Sequence, residues 1–393
     1  MVVKKRRTIK AKGAAKVAPK TSGGGIKKRT NIPVEPETPE FAGELGGVIK
    51  SLTDSGKYGS PFKKGSSSAM DRHRSRTGVL TLDLCLGGGW TISSAGMLYG
   101  EKSSGKSTLA LQSIAAMQRR NDQAVGAWLD IEGTLDKAWA RKLGVDLDRL
   151  VVVEPETGEH AVDLADAMLR SREVSAVVTD SIAMLVPMKE LDESAEQETM
   201  ALQARLVGKY IRKTNNAILR ERQRGHEPLL IHINQFRMKV GLVFGDPRTL
   251  PGGKALEFST TQQVEAKNKE HLGKDDDGND IVLYNEHNFK ITKNKGGGPM
   301  KEGAFKLIRG QGKKGTETID LPEAWIDQAK TVYKHGTQIG LITGSPGAFE
   351  IEGYGKFRGA PAFNEWALEN PVEYDAVQGL IVEGFRRKWD LDG

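Results

Sequence analysis

The run Gly100-Glu-Lys-Ser-Ser-Gly105-Lys106-Ser107 constrains what this chain can fold into more than any other segment. Its pattern, G-x-x-x-x-G-K-[ST], works only between a strand and a helix. The strand delivers the chain to a glycine turn, freed backbone N–H groups converge on phosphate, and the helix N-terminus adds its positive end. The flanks comply, because Gly96 to Tyr99 reads as an apolar strand and Lys106 to Arg119 as a helix. In such a loop Lys106 reaches the β and γ phosphates and the Ser107 hydroxyl ligates Mg²⁺. A chance match in a Gly/Ser-rich turn is the bland alternative, and it leaves the flanking strand and helix unaccounted for.

Three further strand ends point the same way. Val174 to Asp180 is apolar and closes on a carboxylate, the usual place for a second acidic partner of the Mg²⁺ site. A structural Asp at a strand end is equally common when read alone. The strand Val125 to Asp130 is followed by Glu132, placed to orient or deprotonate an attacking water; a charge at the start of the next helix is the other reading. The strand Leu229 to Asn234 leads into Gln235, whose amide is placed to sense the γ-phosphate.

Charge and composition exclude some classes and favour others. The longest apolar runs, such as Leu150 to Val153, fall far short of the ~20 residues that span a bilayer. One cysteine, Cys85, makes no internal disulfide and no cysteine metal cluster, consistent with a reducing, cytoplasmic setting. The net charge of +7 suggests a polyanionic partner, yet it comes from Met1 to Thr30, where eleven Lys and Arg stand without an acid. The remainder is slightly acidic, so any affinity for nucleic acid must come from local loops.

Four parts are expected: a disordered basic tail and linker at 1–36, an oligomerisation helix and linker at 37–69, an ATPase core at 70–310, and a small C-terminal domain at 311–393. The helix begins at Thr38 with Pro39, carries Phe41, Leu45, Val48, Ile49 and Leu52 on one stripe, and ends at Gly56. Whether that stripe packs on its own chain or on a neighbour is open. From Thr77 to Leu307 short apolar strands alternate with amphipathic helices at Lys137 to Leu143, Glu159 to Ser171 and Glu198 to Arg224. This is the pattern of an α/β fold with a mostly parallel, twisted sheet. Beyond Gly310 the elements shorten: Ala324 to His335, Phe349 to Phe357 and Ala362 to Glu369.

Across Thr77 to Leu307 the chain resembles the bacterial RecA family. The resemblance rests on Leu80-Thr-Leu-Asp83, Gly87-Gly-Gly89, Ser103-Ser-Gly-Lys-Ser107, Asp130-Ile-Glu132, Ala140-Arg-Lys-Leu-Gly-Val145, Asp180-Ser181 and Ile233-Asn-Gln-Phe-Arg-Met-Lys239, all in order. It implies a P-loop ATPase that forms a helical filament on single-stranded DNA and exchanges strands with a homologous duplex, using ATP and Mg²⁺. It makes Glu132 the catalytic carboxylate and Gln235 the switch between ATP and DNA. Gly100, Ser103, Ser104, Gly105, Lys106, Ser107 and Thr108 form the phosphate site, Ser107 and Asp180 hold the metal, Trp139 stacks on adenine and Asp136 contacts its amino group. Lys293 and Lys295 reach toward the ATP of the neighbouring subunit.

By the same resemblance, two DNA-binding loops fall at Leu191 to Met200 and Arg237 to Pro251, with Met200, Arg205, Arg237, Met238, Lys239, Val240, Phe244 and Arg248 against DNA. The second loop alone reads as basic, glycine-rich and aromatic, fit to follow a phosphate backbone, though equally as a solvated surface loop. The first, rich in acids, carries no such sign. The chain departs from the family in its basic N-terminal extension and in ending at Arg386-Arg-Lys-Trp-Asp-Leu-Asp-Gly393 rather than in an acidic tail, which puts a tail-borne autoinhibition in doubt. A hexameric helicase would share the nucleotide residues but gives no reason for Asn234 to Lys239. A non-catalytic DNA-packaging protein leaves the nucleotide site unexplained.

Overall fold

The computed structural model describes residues 43–55, 72–188, 200–238 and 248–391. In chain order these contain α1 (Gly43–Asp54), β1 (Arg74–Ser75), α2 (Leu80–Cys85), β2 (Trp90–Thr91), β3 (Ser94–Gly100), α3 (Lys106–Arg120), β4 (Val125–Asp130), α4 (Lys137–Lys142), β5 (Leu150–Val153), α5 (Gly158–Arg170), β6 (Val174–Asp180) and a helix at Met200–Gln223, α6. Then come β7 (Leu229–Gln235), β8 (Arg237–Met238), β9 (Arg248–Thr249), a helix at Gly253–Ser259, α7, and β10 (Gln262–Lys274), β11 (Asp280–Asn294) and β12 (Glu302–Ile308). The start of the first helix expected at Thr38, Phe41, and the basic tail lie outside the described residues. Among the described residues no helix is long and apolar enough to cross a membrane.

The large sheet runs β12-β11-β10-β3-β7-β6-β4-β5. From β10 through β5 every pairing is parallel, and from β10 outward it is antiparallel. Strand alternation explains why both faces need cover. Leu98, Val178, Ile231 and Ile233 share a core with Leu109, Leu111 and Ile114 of α3. Their neighbours Met97, Tyr99, Val177 and Leu230 pack instead with Ala161 and Val162 of α5 and Val207 and Tyr210 of α6. A period of two on strands buried on both sides gives these near-continuous apolar runs.

Trp128 of β4 is 1% exposed in the first core, and its indole N–H finds no partner. Trp128→Ala is expected to cost about 3–5 kcal/mol, as large-to-small core changes do. Trp128→Phe, which removes the unsatisfied donor together with part of the ring, should cost clearly less, and urea unfolding of both variants checks this.

The β10–β11 pair is a long antiparallel hairpin with thirteen cross-strand partners. The sheet also continues past residue 310: Gly312–Lys314 (β13) pairs with β10 and with Glu317–Ile319 (β14), and Ile326–Asp327 (β15) pairs with β12. The boundary expected at residue 311 therefore falls within it. Beyond lie a helix at Ala329–Gln338 (α8), strands Ile342–Ser345 (β16), Ala348–Ile351 (β17) and Gly355–Phe357 (β18), and helices Gly359–Glu369 (α9) and Pro371–Lys388 (α10). Phe349, Phe357, Phe363, Tyr374 and Phe385 form their core, which also takes Leu80 and Leu84 of α2.

Candidate functional site

The C-terminal ends of the parallel strands form the site, as crevices in open α/β sheets do. At Gly100, β3 passes so close to β10 that a Cβ would lie 2.2 Å from the Ala266 carbonyl oxygen. At Gly105, φ is +92° and a Cβ would lie 2.5 Å from the His287 ring, so only glycine admits this approach. Gly105 caps α3, and Lys106 and Ser107 occupy its first turn.

Lys106 is 6% exposed. Its ammonium donates to the Glu101 carbonyl at 2.6 Å and the Ser104 hydroxyl at 3.3 Å. Burial pulls its pKa below the usual lysine range, opposed by Asp180, Glu132 and Glu101. Ser107 donates its hydroxyl to Asp180 Oδ2 at 2.8 Å. Burial pushes the Asp180 carboxyl up to about 6; the bond from Ser107 and the charge of Lys106 oppose this, and Glu132 and Asp130 add to it. Asp130 is spent on the backbone, accepting from the N–H groups of Thr134 at 3.1 Å and Leu135 at 2.9 Å.

Glu132 joins three strand ends. Its Oε1 accepts from the Ser181 hydroxyl at 2.5 Å and from the Gln235 side-chain amide at 2.7 Å. It caps no helix; that task falls to Asp136, which accepts from the N–H groups of Ala138 and Trp139 at 2.8 and 3.0 Å. Gln235 continues into β8, which pairs with β9 through Arg237 and Thr249. Asn234 donates to the Pro251 carbonyl at 2.9 Å, tying the far end of the same excursion to β7. Arg237 donates to the Ala183 carbonyl at 2.5 Å and to Gln203 at 3.3 Å. The Arg248 guanidinium lies 4.7 Å from the Phe236 ring centroid, and Phe236 meets Tyr99 edge to face at 5.5 Å.

Some residues named from sequence are not brought here. Lys239, Val240 and Phe244, and residues 191–199 of the first loop, lie outside the described residues. Of Met200 only the helical backbone is described, Arg205 is exposed on α6, and Met238 is 65% exposed. Lys293 and Lys295 sit at the opposite end of the sheet. Gln262 pairs with both Gly96 at the start of β3 and Asn294, so these lysines flank the N-terminal end of the strand whose other end bears the phosphate loop. Lys293 donates to the Glu257 carbonyl at 2.5 Å. Trp139 donates to Thr108 at 3.4 Å, and one face of its ring is covered by Arg309, with the guanidinium carbon 4.3 Å from the centroid.

Ser181, Arg309 and His287 were not singled out in the sequence. In the sequence Ser181 reads only as the neighbour of Asp180. His287 comes from β11, 183 residues beyond its partner Ser104, and Arg309 follows β12, 170 residues (309 − 139) beyond the Trp139 that it covers; no local pattern joins either pair.

His287 is 3% exposed, stacks on Phe305 at 4.9 Å and has Nδ1 3.2 Å from the Ser104 carbonyl oxygen, which identifies Nδ1 as the protonated, donating nitrogen. Its Nε2 is buried without a partner. Burial pushes its pKa down to about 4, against the bond to Ser104 and with a small push from Arg309. The neutral ring is therefore the form that folds. The unfolded chain takes up the proton near pH 6.5, so stability due to this group is complete above 6.5 and falls as pH drops toward 4. At ~1.4 kcal/mol per pKa unit the loss is on the order of 3 kcal/mol. Urea midpoints measured from pH 7 to pH 4 should show the wild type losing this much relative to His287→Gln. A pH-independent difference between the two proteins would refute it.

Among the described residues no three His, Cys, Asp or Glu side chains converge as a metal cage. One hydroxyl and one carboxylate pressed against two further acids is instead a donor set suited to a hard divalent cation that brings its remaining oxygens from phosphate and water. The sequence model described as the RecA N-terminal domain matches residues 46–314.

Proposed function

Because this chain belongs to the RecA family, whose members are ATPases of the P-loop kind, we propose that it is an ATP-dependent recombinase. It assembles on single-stranded DNA, pairs it with a homologous duplex and exchanges strands. The observation that carries the reading is the 2.7 Å bond from Gln235 to Glu132, since it ties the carboxylate beside the phosphate loop to the strand that opens the basic excursion 237–251.

In this reading the loop from Gly100 to Thr108 wraps the phosphates of ATP. Lys106, now bonded to the Glu101 carbonyl, would turn to the β and γ phosphates, and Ser107 and Asp180 would hold Mg²⁺. The fit is supported by the Asp180 carboxyl, which is raised by burial and further by the neighbouring Glu132 and Asp130, so that a cation there would be favoured. Bound there, the ion would neutralise charge on the phosphate oxygens. Glu132 orients the attacking water and accepts its proton. Ser181, by holding the same carboxylate oxygen as Gln235, fixes its direction.

Trp139, which Arg309 covers on one face, would stack on the base, and Asp136, whose Oδ1 takes both capping bonds, would contact it through its other oxygen. Arg237, Met238, Lys239, Val240, Phe244 and Arg248, with Met200 and Arg205, face the DNA. Met238, at 65% exposure, is an apolar group free to insert between bases.

Self-association into a filament is supported by α1, whose Leu45, Val48 and Leu52 are 57%, 55% and 37% exposed on the same apolar stripe as the buried Ile49. Lys293 and Lys295 would then reach the neighbouring copy's ATP. The proposed setting is the cytoplasm, on DNA.

The test is ATP hydrolysis by the full chain with and without single-stranded DNA, followed by strand exchange between a circular single strand and a homologous linear duplex. Hydrolysis stimulated at least tenfold by single strands, with joint molecules formed, is the expected result. Stimulated hydrolysis without joint molecules would point to a motor of the same fold instead.

A further inference from the structure

The two excursions proposed to meet DNA are joined at their stems. One leaves the sheet after β6 and returns through α6; the other leaves after β7, at β8, and returns at β9. Between β6 and the first of them stands a short turn, Ile182–Met184. Ile182 and the following Leu185 are fully buried and share a core with Leu206 and Val207 of α6.

The turn's own backbone bonds run to the carbonyls of Ser181 at 3.1 Å and Ile182 at 3.3 Å. The carbonyls of Ala183 and Leu185 accept from side chains. Gln203, in the first turn of α6, donates its amide to both of them at 3.1 Å. Arg237, at the head of β8, donates to the same Ala183 carbonyl at 2.5 Å and to the Gln203 amide oxygen at 3.3 Å. An amide nitrogen only donates and an amide oxygen only accepts, so two carbonyls and a guanidinium leave the Gln203 side chain one orientation. The bonds from the guanidinium are charge-assisted and among the stronger ones a carbonyl can accept.

The other end of the turn is fastened to the nucleotide site. Ser181, one residue before it, donates to the same oxygen of Glu132 as Gln235 does. A closed ring of contacts therefore runs from Glu132 through Gln235 to Arg237, across the Ala183 carbonyl to the turn, and back through Ser181 to Glu132. Only Phe236 and Ile182 stand between the bonded residues along the chain. Gln203 hangs α6 on that ring.

We infer that Gln203 is a positioning residue that makes the two excursions answer the nucleotide as one. A change at Glu132 that reaches Arg237 through Gln235 passes through Gln203 into α6 and the segment 189–199 that α6 closes. The inference rests on the role proposed above for Gln235 as the link between ATP and the second excursion. Without the clasp, ATP would set the second excursion and leave the first as it was. Arg237 is also proposed to face DNA, so the test leaves it unchanged.

Gln203→Met keeps the length and the helix propensity of the side chain and removes all three bonds. Gln203→Ala, which removes the same bonds, serves if the first variant melts early. Hydrogen exchange of the full chain is followed by mass spectrometry from milliseconds to minutes, with and without Mg²⁺ and a non-hydrolysable ATP analogue, in peptides covering 186–206 and 236–250. The wild type is expected to show a nucleotide-dependent change in both. In the variant the change in 236–250 should stay within about twofold of wild type while that in 186–206 falls by at least about fivefold, the low end of ordinary coupling between sites. Loss of packing alone would alter exchange equally with and without the analogue, so the nucleotide-dependent difference separates positioning from mere support.

Equal changes in the variant and the wild type overturn the inference. So does a variant in which both changes vanish, or a wild type in which neither peptide responds. None of these measurements uses DNA. The expected pattern in a protein without DNA-stimulated hydrolysis would therefore sink the recombinase reading and leave the clasp standing, and strand exchange by a protein whose variant responds like the wild type would do the reverse.

Discussion

Lys106→Ala should lower ATP hydrolysis, with or without DNA, by about 10²–10³, the scale on which a single charge-stabilising group acts in a transition state. The fold should survive. The lysine's bonds run to Glu101 and Ser104 within its own loop, and burial already disfavours its charge. Glu132→Gln makes the companion test. An amide oxygen still accepts from Ser181 and Gln235, so the geometry persists while the base is lost, and hydrolysis should fall by about 10²–10⁴. The two variants then part company: Lys106→Ala binds ATP poorly, whereas Glu132→Gln binds ATP and holds DNA without turning over. Phosphate release and filter binding measure both. If Glu132→Gln retains more than a tenth of wild-type hydrolysis, its place as base is lost.

Gln235→Ala should leave ATP affinity within about threefold of wild type and abolish the gain in affinity for single-stranded DNA that ATP confers. The reason lies in linkage. On the proposed function, ATP would favour the DNA-holding state only through contacts that differ between two states, and Gln235 is the side chain that touches Glu132 and also leads into β8. A tenfold gain corresponds to ~1.4 kcal/mol, about the worth of one hydrogen bond to a charged group. Fluorescence anisotropy of a labelled oligonucleotide, with and without a non-hydrolysable ATP analogue, reads the coupling directly. Equal affinities in the wild type would end this account before the variant is made.

The phosphate loop, the four strand ends and most helix limits were legible because each is a local signal: a glycine pattern, an apolar run, an amphipathic repeat. Helix α3 begins at Lys106, as the loop pattern requires. What the sequence could not show is distant pairing. In β11, His287 stands in the polar run Asn285-Glu-His-Asn288, which does not mark it as the side chain behind the loop, because its partner Ser104 stands 183 residues earlier. Nothing around Arg309 signals that it covers Trp139. The change of texture after Gly310 was real, but three short strands beyond it still join the large sheet, since pairing depends on partners rather than on spacing. Glu132 shows the converse: its two readings from sequence are separated only by seeing Ser181 and Gln235 on its oxygen.

The position of β3 between β7 and β10 has a consequence for how the molecule is made. The strand that carries the phosphate loop is complete at Gly100, yet one neighbour ends at Gln235 and the other pairs through Ala266. On a ribosome adding about 5–20 residues per second, roughly 160 residues separate the loop from its last flanking strand, an interval of roughly 8–30 s. Until β7 is made the apolar residues of β3 have no sheet to enter, and until β10 is made one of their edges stays unpaired. Newly made chains should therefore gain nucleotide binding late and all at once, and a nascent chain cut short before β10 should be a client for chaperones rather than a small ATPase.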